Sequence, residues 1–481
     1  MRAAVVLLTA LAIALPPAFA QSVLPDLGGT ADGALSPQVE RRIGESIMRD
    51  VRFHEPSYVD DAEVTEYLNL LGGRLVAVAP DARQAFEFFA IRDGAINAFA
   101  LPGGFIGVHT GLIVSSSSES ELASVLAHEI AHVTQRHIAR MVGAQERMQI
   151  PMIAATIAAI LLGGSRPDLA AGATAAIQAT GVQSQINYTR GFEREADRIG
   201  FQMLARSEFD PRAMAAFFEK LQRATRVSDD GTVPGYLRTH PMSVERMSEA
   251  QNRAEHLRYR QTPDSLEFHL VRAKLRAEDG DARDAVTFFN GLIRDRRFAN
   301  EAAAHYGLAI ALQRERRVAE AEAEVDRLRA LKAVSPMIDT LAANLRLAVG
   351  DGAGALALLE ASRLRYPQRR SLLYANVEVL QALGRHAEAL AMLVEPLRLY
   401  RTDARLYRLQ AKSYAATGKR LLQHKAQAEV YLLQGSLPAA IEQLELARRA
   451  TDGDFYQHSE VDARLRELRA RHAQEAREAR R

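Results

Sequence analysis

Apolar positions divide the chain into two regimes. From about residue 38 to 260, stretches of helical spacing are broken by two short apolar runs, Phe86–Ile91 and Phe105–Ile113, bounded by Gly, Pro and Asp. Runs of that kind predict strands. Beyond about Thr262 the strand signals stop, and Ala, Leu, Arg and Glu recur with helical spacing. The expected fold is α+β, mostly α. A mixed domain with a small sheet should span residues 21–260, followed by an all-α domain over 264–480.

The second regime repeats. Gly350, Gly384 and Gly418 lie 34 residues apart. Five places after a turn residue comes an Ala and then an aliphatic side chain: Ala285 after Gly280, Ala355 after Gly350, Ala389 after Gly384, Ala440 after Gly435. That period predicts a tetratricopeptide solenoid, in which the Ala lets paired helices approach and the Gly reverses the chain. The register is imperfect. Arg316 stands where a Gly is expected, the unit after Gly418 lacks the Ala, and Gly435 follows after 17 residues, half a period. A generic helical bundle is the competing reading. A solenoid of this type offers a binding surface rather than catalytic groups.

Three apolar stretches call for a membrane test. In Met1–Ala20, Arg2 precedes the run Ala3–Leu15, Pro16 and Pro17 follow, and Ala18-Phe19-Ala20 has the small-x-small pattern. This predicts a signal peptide cleaved after Ala20, and export to a periplasm or beyond. The run is short of the roughly 20 residues a spanning helix needs. Pro151–Leu162 and Leu169–Gly181 are also too short to span. They read as packed helices, as a hairpin over a cleft, or as an interfacial membrane contact.

Composition removes other possibilities. With 61 Lys+Arg against 59 Asp+Glu the net charge is +2, which excludes a strongly basic nucleic-acid binder. Cys is absent, so there are no disulfides, no thiol nucleophile and no lipid-attachment cysteine. Any metal must be held by His and carboxylates.

Ser118 with Glu121 three places on forms a capping box, so a helix should start there, carrying Leu122, Val125, Leu126, Ile130 and Val133 on its apolar face. His128 and His132 lie four apart on this helix and share a face, a spacing that can hold one metal ion, with Glu129 beside them as a proton acceptor. Such a pair needs a third protein ligand. Glu193 and Asp197, four apart on a second helical stretch, offer a ligand and a supporting carboxylate. Arg194, Glu195 and Arg198 around them read as a solvated face.

The His128-Glu129-Ile130-Ala131-His132 motif followed by Glu193-Arg194-Glu195-Ala196-Asp197 resembles the M48 metallopeptidases. The resemblance implies a zincin-type fold with one zinc ion per chain. It implies His128, His132 and Glu193 as zinc ligands, Glu129 as catalytic base and Asp197 as partner of a ligand histidine. Asn97, Ala98, Phe99 and Ala100, within Asn97–Gly104, resemble the family's substrate-flanking edge strand. His240-Pro241 with Arg246 resembles its H-P-x-x-x-x-R element. Arg246 would then stabilise a tetrahedral intermediate. His240 would do the same, or bind zinc in a resting state. With a tetratricopeptide tail, the resemblance extends to periplasmic members that act in quality control and assembly of outer-membrane β-barrel proteins. Their substrates would be unfolded or misassembled outer-membrane proteins, and the repeats would dock on the β-barrel assembly machinery. The rival expectation is a non-proteolytic chaperone or adaptor whose solenoid does the binding and whose zinc is resting or structural.

Overall fold

The computed structural model describes residues 35–143, 190–227, 235–257 and 262–478. The signal-peptide reading at 1–20 and the two apolar runs within 151–181 lie outside these residues. The fold is mostly helical with one three-stranded sheet. Among the described residues no helix is long and apolar enough to cross a membrane.

Helix α1 (Pro37–His54) starts at Ser36, whose side chain caps Val39 N, with Pro37 in the first turn, where its missing N–H costs nothing. Helix α2 (Ala62–Val76) starts at Asp61, which caps Glu63 and Val64. The strands are β1 (Glu87–Ile91), β2 (Ala98–Leu101) and β3 (Phe105–His109), in the order β1-β3-β2. β1 runs parallel to β3, and β2 runs antiparallel to it through the turn at Gly103 and Gly104. Both glycines have positive φ, and a Cβ on Gly103 would strike the Arg41 backbone. The run expected as one strand over Phe105–Ile113 stops at His109. Thr110–Ser115 is helix α3.

Both faces of the sheet are covered, which is why the strands read as continuous apolar runs rather than alternating ones. Phe88, Ala90, Ala98, Ala100, Ile106 and Val108 join the main core, and Phe89, Ile91, Phe99, Leu101 and Phe105 pack with α1. The two edges differ. Along β1, Val59 N donates to Ala90 O and Arg92 N to Ser57 O. The Asn69 amide donates to Phe88 O and accepts from Phe88 N. Along β2, His109 N donates to Asn97 O, so the alternation of an antiparallel ladder turns the backbone groups of Ala98 and Ala100 outward. Among the described residues no strand pairs with that side.

Beneath the sheet lies α4 (Glu119–Thr134). Ser118 caps Glu121 N as expected, but the Glu121 carboxylate accepts from Ser117 N, one residue before the position a capping box specifies. Helix α5 (His137–Gly143) follows, then α6 (Arg190–Arg206), α7 (Arg212–Val227), α8 (Gly235–Thr239) and α9 (Val244–Glu255). α6 crosses α4 closely at Gly200, where a Cβ would lie 3.1 Å from His128 N.

Among the described residues, twelve helices run in succession from α10 (Leu266–Glu278) to Phe455–Glu478. They pair as a repeat array. The alanines at the repeated position, Ala285, Ala355, Ala389 and Ala440, are all buried, and Ala321 takes the same place after Arg316. Arg316 adopts φ 60°, as Gly280, Gly350, Gly384, Gly418 and Gly435 adopt positive φ at the corresponding turns. The turn geometry is thus kept where the glycine is not. Gly435 ends the helix that begins just after Gly418, so it marks the second half of one unit.

The array is fastened to the helices that precede it. Ser265 Oγ and Tyr67 Oη both donate to Glu119 on α4, and Glu119 N donates to Asp264. Lys274 on α10 pairs with Asp61 and Glu63, each at 2.7 Å. Farther along, Ser371 donates to Glu66 and Arg408 pairs with Asp60.

Candidate metal centre

His128, His132, Glu193 and His240 offer ligand atoms that all lie within 4.8 Å of one another, and all four residues are buried. α4 presents the two histidines from one face, and their Nε2 atoms are 2.9 Å apart. α6 brings Glu193, whose oxygens lie 3.5 Å from His128 Nε2 and 3.4 Å from His132 Nε2. His240 follows α8 directly, and its Nδ1 lies 3.1 Å from Glu193 Oε1 and 3.3 Å from His128 Nε2. Zinc bonds of about 2.0–2.1 Å in a tetrahedron separate neighbouring ligand atoms by roughly 3.3 Å. The spacing and the N/O donor set therefore fit a divalent ion of this kind.

The surrounding carboxylates and guanidinium are ordered around these ligands. Asp197 Oδ1 lies 2.9 Å from His128 Nδ1. Arg246, 2% exposed, donates from Nε and Nη2 to the two Asp197 oxygens at 2.7 and 2.8 Å. Its Nη1 lies 2.8 Å from Glu193 Oε2 and donates to Pro241 O. Burial works against ionising Asp197 and Glu193, but Arg246 and His128 hold Asp197 below the usual carboxylate range. His240, His128 and His132 hold Glu193 well below it. Burial would depress His128 too, yet hydrogen bonds to Asp197 and Glu193 raise it to about 9, while burial keeps His132 well below the usual imidazole value.

Glu129 is fully buried, and both its oxygens lack a well-formed hydrogen bond. His240 Nε2 lies 3.4 Å from Oε1. Burial raises the Glu129 carboxyl, and the Ala100 backbone N–H faces it. The outward edge of β2 thus borders the carboxylate beside the metal cluster. Asn97 and Phe99 have other surroundings. Asn97 is buried at the start of the strand, and the Phe99 ring packs edge-on against His109 at 6.0 Å. Tyr236 N donates to Ile96 O, so α8, which delivers His240, is docked on the same edge.

Two groups escaped the sequence reading. His137 Nδ1 lies 2.8 Å from His132 Nδ1, and its Nε2 lies 3.1 Å from Glu195 Oε2. Glu195, read as part of a solvated face, is 27% exposed and also pairs with Arg140 at 2.8 Å. A third histidine five places after His132 was the available signal.

Residues 63–254 match Peptidase family M48. A putative β-barrel assembly-enhancing protease of Vibrio cholerae is 42% identical over 284 residues, which span 57% of this chain and 58% of that one. The β-barrel assembly-enhancing protease of Escherichia coli K12 is 35% identical over 462 residues, 94% of this chain and 93% of the relative. A mitochondrial metalloendopeptidase OMA1 of Schizosaccharomyces pombe is 29% identical over 218 residues, 44% and 60% of the two chains.

Proposed function

The chain belongs to peptidase family M48, and from that premise we propose that it is a zinc-dependent endopeptidase of the periplasm acting on unfolded or misassembled outer-membrane β-barrel proteins. The observation that carries the catalytic part is the convergence of His128, His132 and Glu193 beside a buried Glu129 with no well-formed hydrogen bond. The names of the long relatives support the assembly role.

In this reading His128, His132 and Glu193 hold one zinc ion. Bound there, zinc would supply Lewis acidity toward a peptide carbonyl and acidify a water molecule. Glu129 takes a proton and later returns it to the leaving amine. Asp197 accepts from His128 Nδ1 and so turns Nε2 toward the cluster. Arg246, with its donors committed to Asp197, Glu193 and Pro241, acts as a positioning residue. An extended substrate segment pairs with the outward groups of Ala98 and Ala100, which selects for unfolded chain and reads little of its sequence. Residues 21–260 form the protease unit and 264–480 the docking solenoid, which meets the β-barrel assembly machinery.

A second reading is favoured by His240. As a fourth side chain in the cluster it fills the position a water would take, which corresponds to a resting or structural metal. The two readings are joined if α8 withdraws His240 when substrate enters. The test is degradation of an unfolded outer-membrane β-barrel protein by the full chain with zinc, against the Glu129→Gln variant. Cleavage by the native chain alone supports the protease. Equal suppression of substrate aggregation by both, with no cleavage, supports the chaperone.

A further inference from the structure

His132 is held on its far side by a chain of groups that ends at a carboxylate. His137 is fully buried. It comes directly after Arg136, which sits at φ 53° and pairs with Glu40. That left-handed residue reverses the chain between α4 and α5 and folds the His137 ring back onto His132, with ring centroids 4.8 Å apart. From α6, Phe192 stacks flat on the His137 ring at 4.5 Å and 12°. Glu195, one turn farther along α6, meets His137 Nε2, and Arg140 meets the same Glu195 oxygen.

The direction of the hydrogen bonds follows from the chemistry of the end group. An ionised carboxylate only accepts, so His137 Nε2 carries the proton toward Glu195. A neutral His137 then has a bare Nδ1, which accepts from His132 Nδ1–H. His132 is left with its Nε2 lone pair facing Glu193 and His128. The 2.8 Å contact between the two Nδ1 atoms needs one donor and one acceptor, which the neutral form of His137 supplies.

We infer that His137 and Glu195 are positioning residues for the second motif histidine, a relay that fixes the tautomer and ring plane of His132 and strengthens its hold on the metal. This rests on the metallopeptidase reading above. It gives the two ligand histidines different supports. His128 leans directly on Asp197, whereas His132 leans on Glu195 through a second imidazole. Loss of an outer hydrogen-bond partner typically costs about 10–100-fold in metal affinity.

The test is zinc competition against a chromophoric chelator on the full-length protein, with the visible absorption of the cobalt-substituted form as a second readout. His137→Phe keeps a flat ring against Phe192 and removes the acceptor. It should weaken zinc by about 10–100-fold and shift the cobalt bands. His137→Gln, whose amide can accept from His132 and donate to Glu195, should recover most of the loss. Glu195→Ala lies at the more exposed end and should weaken zinc in the same direction, deciding the matter if His137→Phe does not fold. Arg194→Ala, an exposed neighbour, should leave affinity unchanged. Native affinity and cobalt spectrum in both His137→Phe and Glu195→Ala would overturn the relay. Failure of the unaltered protein to bind zinc would instead overturn the metallopeptidase reading.

Discussion

Arg246 grips both oxygens of Asp197, at 2.7 and 2.8 Å, while a third nitrogen reaches Glu193. One guanidinium therefore braces a metal-ligand candidate and the support of another. A buried ion pair broken on one side leaves a charge without compensation, at about 3–5 kcal/mol. Arg246→Met is expected to lose that much stability in urea unfolding of the metal-free chain. Arg246→Lys, which keeps the charge but not the fork, should fall between.

Glu129→Gln should retain zinc and lose proteolysis. Glu129 is not one of the clustered ligand residues, and the amide of Gln occupies the same space as its carboxylate. The expected fall in turnover is about 10²–10⁴-fold, the usual worth of a positioned general base. Metal analysis together with casein degradation checks both halves. Turnover near the native rate would remove Glu129 from the reaction.

His240 separates two roles by the sign of one change. If it fills a metal position at rest, His240→Ala raises proteolysis and leaves zinc bound through the other three ligands. If it stabilises a developing oxyanion, the same change lowers turnover. The resting role is the expected outcome, because its Nδ1 points at Glu193 and His128. Casein degradation measured alongside zinc content decides.

Lys274→Met tests the join between the repeat array and α2. Lys274 is held far above its ordinary value by Glu63 and Asp61, although burial alone would lower it. Burial would raise Asp61, but Lys274 and the backbone donors of Val64 and Glu63 bring it below the usual range. Its depressed folded value means that Asp61 adds stability above its unfolded value of about 3.9, and that this is lost as pH falls through the folded value. The raised Lys274 adds stability below about 10.4, lost as pH climbs through its folded value. At pH 7 the substitution should cost about 3–5 kcal/mol, leaving two carboxylates uncompensated. The deficit should shrink in acid as they protonate. Calorimetric melts across pH check it.

In the repeats, Arg316→Gly should stabilise by about 1 kcal/mol, since a side chain at φ 60° carries roughly 1–2 kcal/mol of steric cost, part of which glycine returns as chain entropy. Gly307→Ala should cost about 1–3 kcal/mol, because a Cβ there would lie 2.3 Å from the Phe289 ring. Urea unfolding of both variants measures the pair.

What the sequence disclosed was what depends on short spacing. His128 and His132 four apart, Glu193 and Asp197 four apart, the Ser118 cap and the buried alanines of the repeats are all local patterns. What stayed hidden depends on distant partners. Glu195 looked solvated because nothing near it in sequence shows that His137 will reach it across 58 positions. The end of β3 was missed because Thr110–Ser115 is as apolar as the strand before it, so hydrophobic pattern alone does not separate them.

The two sides of the sheet have a consequence for self-association. Asn69 and the Ser57–Val59 segment engage the outside of β1, and among the described residues β2 is the edge strand whose outward backbone groups pair with no strand. A sheet that accepts a strand on one side alone cannot propagate. Two copies meeting through β2 would satisfy each other and stop, whereas a fibril needs two receptive sides per molecule. A sheet of this build can therefore offer an extended chain one edge without becoming the seed of a fibril.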